Sequence, residues 1–365
     1  MYQYTAPLGF RVYEDAIILP QLDGRFATGG AVSSRGDLIP DTTLHEGIEG
    51  RYAYDVCEVV DIDADAIYVG YFFSCWGHVI TDVIKKLWFL SSPDGQRLVA
   101  DGAQVCYLPE PGNKLEGVAL EVCRLLGIDT RKMIPIRSLT RYRRLYVPDN
   151  SFMDSADVKL WTDTYCSMIR AIREAVPVPA GSPERIYLSR RRFSSWQREM
   201  GERELEEAYR REGFTVIYPE RLSIEEQIGL LRGCRELVST DGSVAHNVVF
   251  CEPGVRQTIL LKSDFINPYQ LAIDEAFGIG ATLVPVHRSV CNNPLTPWMG
   301  PFYLSATPQL EQHLGHLLPR RPLWAKPSWW WYLVWNRWIR PVKEATYPWR
   351  VRLRQRLRGL FAGAR

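Results

Sequence analysis

The chain has 365 residues, of which 46% are apolar, and a net charge of +2, so it has room for two ordinary domains with real cores. Its eight cysteines include no C-x-x-C pair, which argues against a small disulfide framework and favours a reduced, cytoplasmic setting. We expect neither a signal peptide nor a membrane span, because the chain shows no leader pattern and no sufficiently long apolar stretch.

The charge is unevenly distributed along the chain. Residues 319–365 contain 12 Lys and Arg and one acid, so residues 1–318 hold 32 Lys and Arg against 41 Asp and Glu. The same tail contains seven of the twelve tryptophans. We therefore expect the tail and the body to have different roles.

The first half of the chain predicts alternating strands and helices after an irregular start. Residues 1–60 are rich in Gly and Pro and predict short strands and loops, and the acidic run 61–65 predicts a turn, since it lacks the rest of a calcium loop. Strands are predicted at 67–73, 104–108 and 144–147, and helices at 77–90, 114–126 and 155–175. Ser155 is expected to cap the last helix, and Pro177 to end it.

The second half repeats this alternation more sharply. Strands are predicted at 185–188, 214–218, 237–239, 258–261 and 282–286, and helices at 202–212, 224–232, 245–250 and 269–277. Strands that alternate with helices imply parallel sheets with covered faces. The sequence therefore predicts an α/β protein of two Rossmann-like domains that face a cleft. The expected divisions are 1–150, 151–318 and a basic, Trp-rich helical tail at 319–365.

The segment after the predicted strand 237–239 has features of an anion-binding site. Gly242 would let a ligand approach the backbone, and the first amides of a helix that starts at Ser243 would attract an anion. Ser243, His246 and Asn247 add hydrogen-bonding groups at the same end. Many α/β proteins join strand to helix in this way without binding phosphate, so an ordinary connection is the alternative.

Arginines follow the predicted strand 185–188. Ser189 and Arg190 would lie at the carboxyl end of that strand, where ligands gather in open α/β sheets, and a guanidinium suits phosphate oxygens. The alternative is a solvated basic loop, which is favoured for the two arginines that follow. Arg198 and Glu202, at i and i+4, predict either an ordinary ion pair or a carboxylate that orients an arginine toward phosphate.

His78 and Asp82 are one helical turn apart and would share a face. A histidine held by a carboxylate is a common general base. The alternative is a core histidine, with Asp82 paired to Lys86. No histidine grouping has convincing metal-ligand spacing, and His45 lacks the rest of an H-E-x-x-H motif. We therefore expect no metal site.

The tail combines indoles with arginines. Trp residues cluster at 329–338, and a helix over 351–361 would place arginines on both sides of a stripe formed by Leu353, Leu357, Leu360 and Phe361. This composition is typical of a helix that lies on an anionic membrane surface. Packing on the body or on a second subunit is an alternative. Nucleic-acid binding is a further one, which the acidic body disfavours.

Taken together, several of these segments resemble glycosyltransferase family 61. The resemblance is carried by G-H-V-I-T-D at 77–82, Y-L-S-R at 187–190, L-S-I-E-E-Q-I at 222–228 and D-G-S-V-A-H-N-V-V-F-C-E-P-G at 241–254, and it spans roughly 67–290. The chain departs from the family pattern at Asp241, where a histidine is usual, and at Ser243, where alanine is common.

The resemblance implies a GT-B fold and metal-independent transfer of a sugar from a nucleotide donor with inversion. The donor would be UDP-linked by default, with CMP or GDP as alternatives, and no other cofactor is implied. Arg190 and the helix start at Ser243 would hold the diphosphate, and His246 and Asn247 would contact phosphate, ribose or sugar. His78 or Asp82 would deprotonate the acceptor.

The tail and the family together imply a bacterial enzyme on the inner face of the cytoplasmic membrane. It would act on a glycan or lipid-linked glycan in capsule or lipopolysaccharide synthesis. Two other functions remain open on the same scaffold. One is a sugar-nucleotide epimerase or hydrolase, and the other is a non-enzymatic subunit that binds nucleotide sugars or serves as a scaffold.

Overall fold

The computed structural model describes residues 3–4, 7–23, 25, 27–45, 49–111, 117–154, 159–193, 199–293, 295–319, 321–342 and 345–346. The strands are β1 (Gln3–Tyr4), β2 (Phe10–Leu19), β3 (Gly30–Val32), β4 (Val60–Phe72), β5 (Gln104–Pro109), β6 (Met133–Pro135), β7 (Thr140–Pro148), β8 (Phe152–Asp154), β9 (Lys159–Thr162), β10 (Arg185–Leu188), β11 (Glu199–Met200), β12 (Thr215–Ile217), β13 (Glu236–Thr240), β14 (Arg256–Leu261), β15 (Thr282–Pro285) and β16 (Phe302–Tyr303).

The α-helices are α1 (Trp76–His78), α2 (Pro93–Ala100), α3 (Val118–Leu125), α4 (Asp163–Glu174), α5 (Arg203–Arg211), α6 (Ile224–Arg232), α7 (Pro268–Phe277), α8 (Pro308–Leu314) and α9 (Pro327–Val334). Tighter 3-10 segments lie at Val56–Glu58, Ile84–Ser91, Thr130–Lys132, Pro219–Arg221, Ala245–Phe250, Pro297–Met299 and Leu323–Ala325. Wider π segments lie at Val79–Val83 and Trp335–Ile339.

The first half of the chain forms a six-stranded mixed sheet with the order β3-β2-β7-β4-β5-β6. Strands β4 to β7 pair in parallel, but β2 runs antiparallel to both β3 and β7. The prediction of an all-parallel sheet is therefore wrong for β2 and β3. The early residues also form a ten-residue strand, where short strands and loops were expected. An antiparallel edge can leave one face in water, which fits the exposed positions in the first part of β2.

The acidic run 61–65 is part of a strand and not a turn. It opens β4, and the neighbouring β7 places arginines opposite it. Arg141 donates to Asp61 at 2.9 Å, Arg143 donates to Asp65 at 3.1 Å, and Arg144 also donates to Asp65. These cross-strand partners offset the repulsion between the carboxylates, which is why aspartates are tolerated in this strand.

The second half of the chain forms a five-stranded sheet with the order β12-β10-β13-β14-β15. Every pairing in it is parallel, as the alternation predicts. The helices expected at 224–232 and 269–277 match α6 and α7 to within one residue, and α6 begins with a capping box between Ser223 and Glu226. The α/β class is confirmed.

Two predicted helices differ from the structure. The helix expected at 155–175 is replaced by β9 followed by α4, because the hydroxyl of Thr162 accepts from the amide of Tyr165 and starts the helix there. The proposed cap Ser155 lies outside the described residues. The helix expected at 77–90 is present as consecutive α, π and 3-10 segments. The hydroxyl of Thr81 donates to the Gly77 carbonyl within its first turns.

One apolar core spans both sheets. It includes Ile67 and Val69 of β4, Ile186 of β10 and Leu237 of β13, all fully buried. Helix α4 joins the two groups through residues such as Ile169, which is also fully buried. The two sheets are therefore held against each other by continuous hydrophobic packing.

One face of the tail packs on the body. Tyr332 of α9 is fully buried against Met200 and Tyr303, and its hydroxyl donates to the Pro301 carbonyl at 3.2 Å. Lys326, just before α9, donates to Glu204 at 2.6 Å. No helix among the described residues has the length and apolar character needed to cross a bilayer. The predicted apolar stripe at 351–361 lies outside the described residues.

Candidate functional site

Three neighbouring parallel strands bring polar residues to the carboxyl edge of the second sheet. Arg190 follows β10, Gly242 and Ser243 follow β13, and Lys262 follows β14. Ligands of open α/β sheets bind at this edge, because the loops there are free to shape a site above the strands. We refer to Arg190, Gly242, Ser243 and Lys262 as the sheet-edge site.

The turn at Gly242 needs glycine. Its φ angle is +107°, a conformation that other residues rarely adopt, and a methyl group on its Cα would lie 3.3 Å from Nζ of Lys262. The next residue, Ser243, has a hydroxyl oxygen 3.5 Å from Nη1 of Arg190, which donates to it. Two cationic groups thus flank a backbone turn that has no bulky side chain.

The loop that carries Arg190 is held by two buried carboxylates of the α5 region. Glu206 accepts from the Ser189 hydroxyl at 2.7 Å and lies 3.2 Å from Nε of Arg191. Glu202 accepts from the backbone amide of Arg190 at 3.1 Å. Burial, followed by the nearby carboxylates, raises the pKa of Glu202 to about 7. Ser189 is fully buried, and its hydroxyl supports the loop. The expected contact of Ser189 with a nucleotide-sugar donor does not fit this placement.

The pairing that the sequence suggested between Arg198 and Glu202 cannot be described, since Arg198 lies outside the described residues. Glu202 nevertheless supports an arginine, through the backbone of Arg190 and not through a guanidinium. Its carboxylate also accepts from the hydroxyl of Tyr187 at 3.1 Å. The arginine that Glu202 helps to position is therefore Arg190.

His246 and Asn247 are buried beneath the turn. Only 4% of His246 is exposed, and its Nδ1 lies 2.8 Å from the side-chain oxygen of Gln270. Asn247 is also buried, and its amide nitrogen donates to the Val244 carbonyl at 2.9 Å. The expected direct contact of both side chains with a donor does not fit this placement. Ala245–Phe250 is a short 3-10 helix whose first residues turn these side chains into the core.

The first half of the chain contributes a cluster around a fully buried carboxylate. Nδ1 of His78 lies 2.8 Å from Asp82, and Lys85 donates to the same carboxylate at 3.2 Å. Burial alone would raise the pKa of Asp82, but Lys85 and His78 outweigh burial and hold it below the usual value. The predicted pair of His78 and Asp82 is thus present. Its lysine partner is Lys85, while Lys86 donates to the Pro148 carbonyl.

Two residues that the sequence analysis did not assign complete this cluster. Nδ1 of His45 lies 2.5 Å from Asp154 and 3.8 Å from Asp82. Burial would raise the pKa of Asp154, yet contacts with His45, Lys159 and Tyr269 hold it well below its usual range. These partners lie far apart in the sequence, so no local spacing could have revealed them. We refer to His45, His78, Asp82 and Asp154 as the histidine cluster.

The histidine cluster adjoins the sheet-edge site. A methyl group on Gly77, the residue before His78, would lie 3.2 Å from Cβ of Ser243. The ring of Trp76 lies 5.9 Å from that of Phe250, so apolar packing holds the two segments together. A half-exposed histidine with a buried carboxylate partner therefore stands beside a turn flanked by cations.

Three side chains of the histidine cluster could also ligate a cation. His45, Asp82 and Asp154 each offer one ligand atom, and these atoms lie within 4.8 Å of one another. However, Lys85 and Lys159 donate to the same two carboxylates. A cation would have to compete with both ammonium groups, so the charge balance disfavours a metal here.

Lys262 was also missed by the sequence analysis. It is buried, and its ammonium donates to Glu199 at 2.8 Å. A signal was present in the sequence, because a lysine directly after the predicted strand 258–261 would occupy the same sheet edge as Arg190.

Comparison with known proteins identifies a family. The model of the family described as Glycosyltransferase 61 matches residues 76–259, half of the chain. The matched range contains His78, Asp82, Arg190 and the 241–243 turn, and it excludes His45 and Lys262. No curated protein matches the chain.

The burial of His246 predicts an acid-sensitive stability. Burial lowers the pKa of His246 from 6.5 to about 4. Between these values the unfolded chain binds a proton that the folded chain does not. The free energy of unfolding should therefore fall as the pH drops through this window, by up to about 3 kcal/mol. In urea unfolding from pH 7 to 4.5, His246→Gln should show a shallower pH slope than the wild type. A wild-type slope in His246→Gln would contradict the assignment.

Proposed function

Because this chain belongs to glycosyltransferase family 61, it is a glycosyltransferase, and we propose that it transfers a sugar with inversion and without a metal. The donor is a nucleotide sugar, UDP-linked by default, and the acceptor is a glycan or lipid-linked glycan of a bacterial surface polysaccharide. The observation that carries the proposal is the contact of Gly77 with Ser243. This contact sets a histidine–carboxylate pair beside a turn that two cationic side chains flank.

The sheet-edge site suits the donor diphosphate. The guanidinium of Arg190 offers two parallel donors to phosphate oxygens, and the half-exposed turn at Gly242 and Ser243 presents its backbone without a bulky side chain. Negative charge grows on the leaving nucleoside diphosphate during transfer. Fixed cationic donors at that point stabilise the transition state, as a metal does in other enzymes.

His78 is the proposed general base. Asp82 fixes the orientation of its ring through Nδ1, so Nε2 is the nitrogen that would accept a proton. The acceptor oxygen gives its proton to Nε2 and attacks the anomeric carbon of the donor. The bond from that carbon to the phosphate oxygen breaks, and the nucleoside diphosphate leaves with the electron pair. Attack from the side opposite the leaving group inverts the anomeric centre.

We further propose a GT-B-like division of labour. Residues 1–150 would form the acceptor side and residues 151–318 the donor side, with the reaction at their junction. The two sheets and their contact at Gly77 and Ser243 support this arrangement. Because one apolar core crosses both sheets, we expect any closure of the two halves to occur only at the edges of the junction between them.

The tail supports a proposal of membrane-surface binding on the cytoplasmic side. While Tyr332 packs inward, Trp324 and Trp338 are each 71% exposed. Exposed indoles beside many basic residues suit an anionic lipid surface, where a lipid-linked acceptor would also be found. The acidic body gives no reason to expect a nucleic-acid partner.

Substitutions at the two clusters test the proposed function. Arg190→Ala should weaken UDP binding about 10- to 100-fold, since it removes charged hydrogen bonds. His78→Ala should reduce sugar transfer about 10²- to 10⁴-fold while UDP binding survives. Arg192→Ala and His316→Ala are the matched controls, because both side chains are exposed and lie outside the two clusters. Calorimetry with UDP and a donor-consumption assay give the two values. Normal transfer by both test variants would refute the site assignment.

Metal independence has a separate test. UDP affinity and transfer should be unchanged in EDTA relative to Mg²⁺ or Mn²⁺, because protein cations supply the positive charge. A loss of activity in EDTA that Mn²⁺ restores would contradict this.

Membrane binding can be tested in the full-length protein. Each indole that leaves water contributes on the order of 1 kcal/mol. Trp324→Gln/Trp338→Gln should therefore weaken binding to phosphatidylglycerol vesicles roughly tenfold or more. Trp298→Gln is the control, since it changes an exposed indole outside the tail. Equal flotation of the double variant, the control and the wild type would exclude membrane binding through this surface.

A further inference from the structure

Lys262 occupies a position in the sheet-edge site that has no role so far. It is the first residue after β14, next to β13, whose following turn contains Gly242. The methyl group that glycine lacks would lie 3.3 Å from the Lys262 ammonium. The ammonium is therefore beside the half-exposed backbone at which the proposed diphosphate binds.

The surroundings of Lys262 hold its ammonium in one place. Nζ donates to Glu199 at 2.8 Å and lies 4.8 Å from the centre of the Phe302 ring. Burial would raise the pKa of Glu199, but Lys262 and then Arg190 outweigh burial and lower it. Glu199 therefore lies in the field of both cations of the site.

The charge balance of the site calls for a second cation. A bound diphosphate brings at least two negative charges to a turn that already has Glu199 and Asp241 beside Lys262. Burial raises the pKa of Asp241, and Lys262 only partly offsets this effect. Arg190 supplies a single positive charge, whereas an ammonium has three N–H donors and can serve Glu199 and a ligand together.

We propose that Lys262 is a second ligand of the donor diphosphate, opposite Arg190, and that Glu199 holds it in place. This proposal rests on the proposed function. The two cations bracket the turn from β10 and β14, on either side of β13. Phosphate oxygens that lie over Gly242 then receive donors from both sides while Lys262 keeps its bond to Glu199. The ligand class is a nucleoside diphosphate and its sugar conjugates.

The test uses calorimetric titration with UDP, with GDP and CDP alongside, on the full chain. Lys262→Met should weaken binding of the preferred nucleotide about 10- to 100-fold, as expected for a lost charged hydrogen bond. Lys262→Arg should retain most of the affinity. Glu199→Gln should weaken binding less than Lys262→Met does, because its amide oxygen can still accept from the ammonium and the cation stays in the site.

Two further variants separate ligand binding from fold maintenance. Lys326→Met is the matched control, since Lys326 is also a buried lysine paired with a glutamate, Glu204, in the same half of the chain. It should bind nucleotide like the wild type. The double variant Lys262→Met/Glu199→Gln leaves no unpaired buried charge, so it should fold with near wild-type stability in thermal unfolding and still bind weakly.

The outcomes are distinct. Wild-type affinity in the double variant, or equal weakening by Lys262→Met and Glu199→Gln, would mean that the pair only supports the fold and would overturn this proposal. If Arg190→Ala weakens binding and Lys262→Met does not, the role of Lys262 fails while the proposed function stands. If no nucleoside diphosphate binds the wild type, the proposed function fails and this proposal fails with it.

Discussion

At the junction of the two sheets, the backbone of Gly77 lies against the side chain of Ser243, and the geometry of the site depends on that contact. Without a side chain at 77, the helical segment of the first half can approach the turn that follows β13. The ring contact of Trp76 with Phe250 holds the approach in place from the apolar side. A bulky side chain at 77 would push the two segments apart, and with them the proposed base His78 and the proposed phosphate ligand Arg190.

Around this junction, buried charges are set in pairs. Asp82 is paired with Lys85, and Glu199 with Lys262. Removing charges from water costs several kcal/mol per ion, and such pairs seldom stabilise a fold better than apolar packing would. Their benefit is positional, because an ammonium and a carboxylate that satisfy each other have few alternative arrangements. The site therefore depends on paired groups, and some of them, such as Lys85 and Glu199, have only a positioning role in the proposed mechanism.

The sequence predicted those parts of the fold that depend on local pattern. The strands of the second sheet and helices α6 and α7 follow from hydrophobic periodicity and capping residues. The pair of His78 and Asp82 follows from their spacing of one helical turn. The aspartate-rich start of β4 was missed because its carboxylates are paired with arginines about 80 residues away. The antiparallel β2 was missed because its partner β7 lies far along the chain. His45 and Asp154 escaped for the same reason. His246 shows the opposite failure, since its polar side chain suggested a ligand and the fold turns it toward Gln270.

The burial of Tyr332 affects how the molecule would be oriented on any surface that it binds. This side chain is enclosed by Met200 and Tyr303, so α9 cannot swing independently of the body. The exposed indoles at its start and beyond its end share that rigid frame. Any surface that binds those rings would therefore fix the orientation of the whole molecule, and with it the direction in which the carboxyl edge of the second sheet faces.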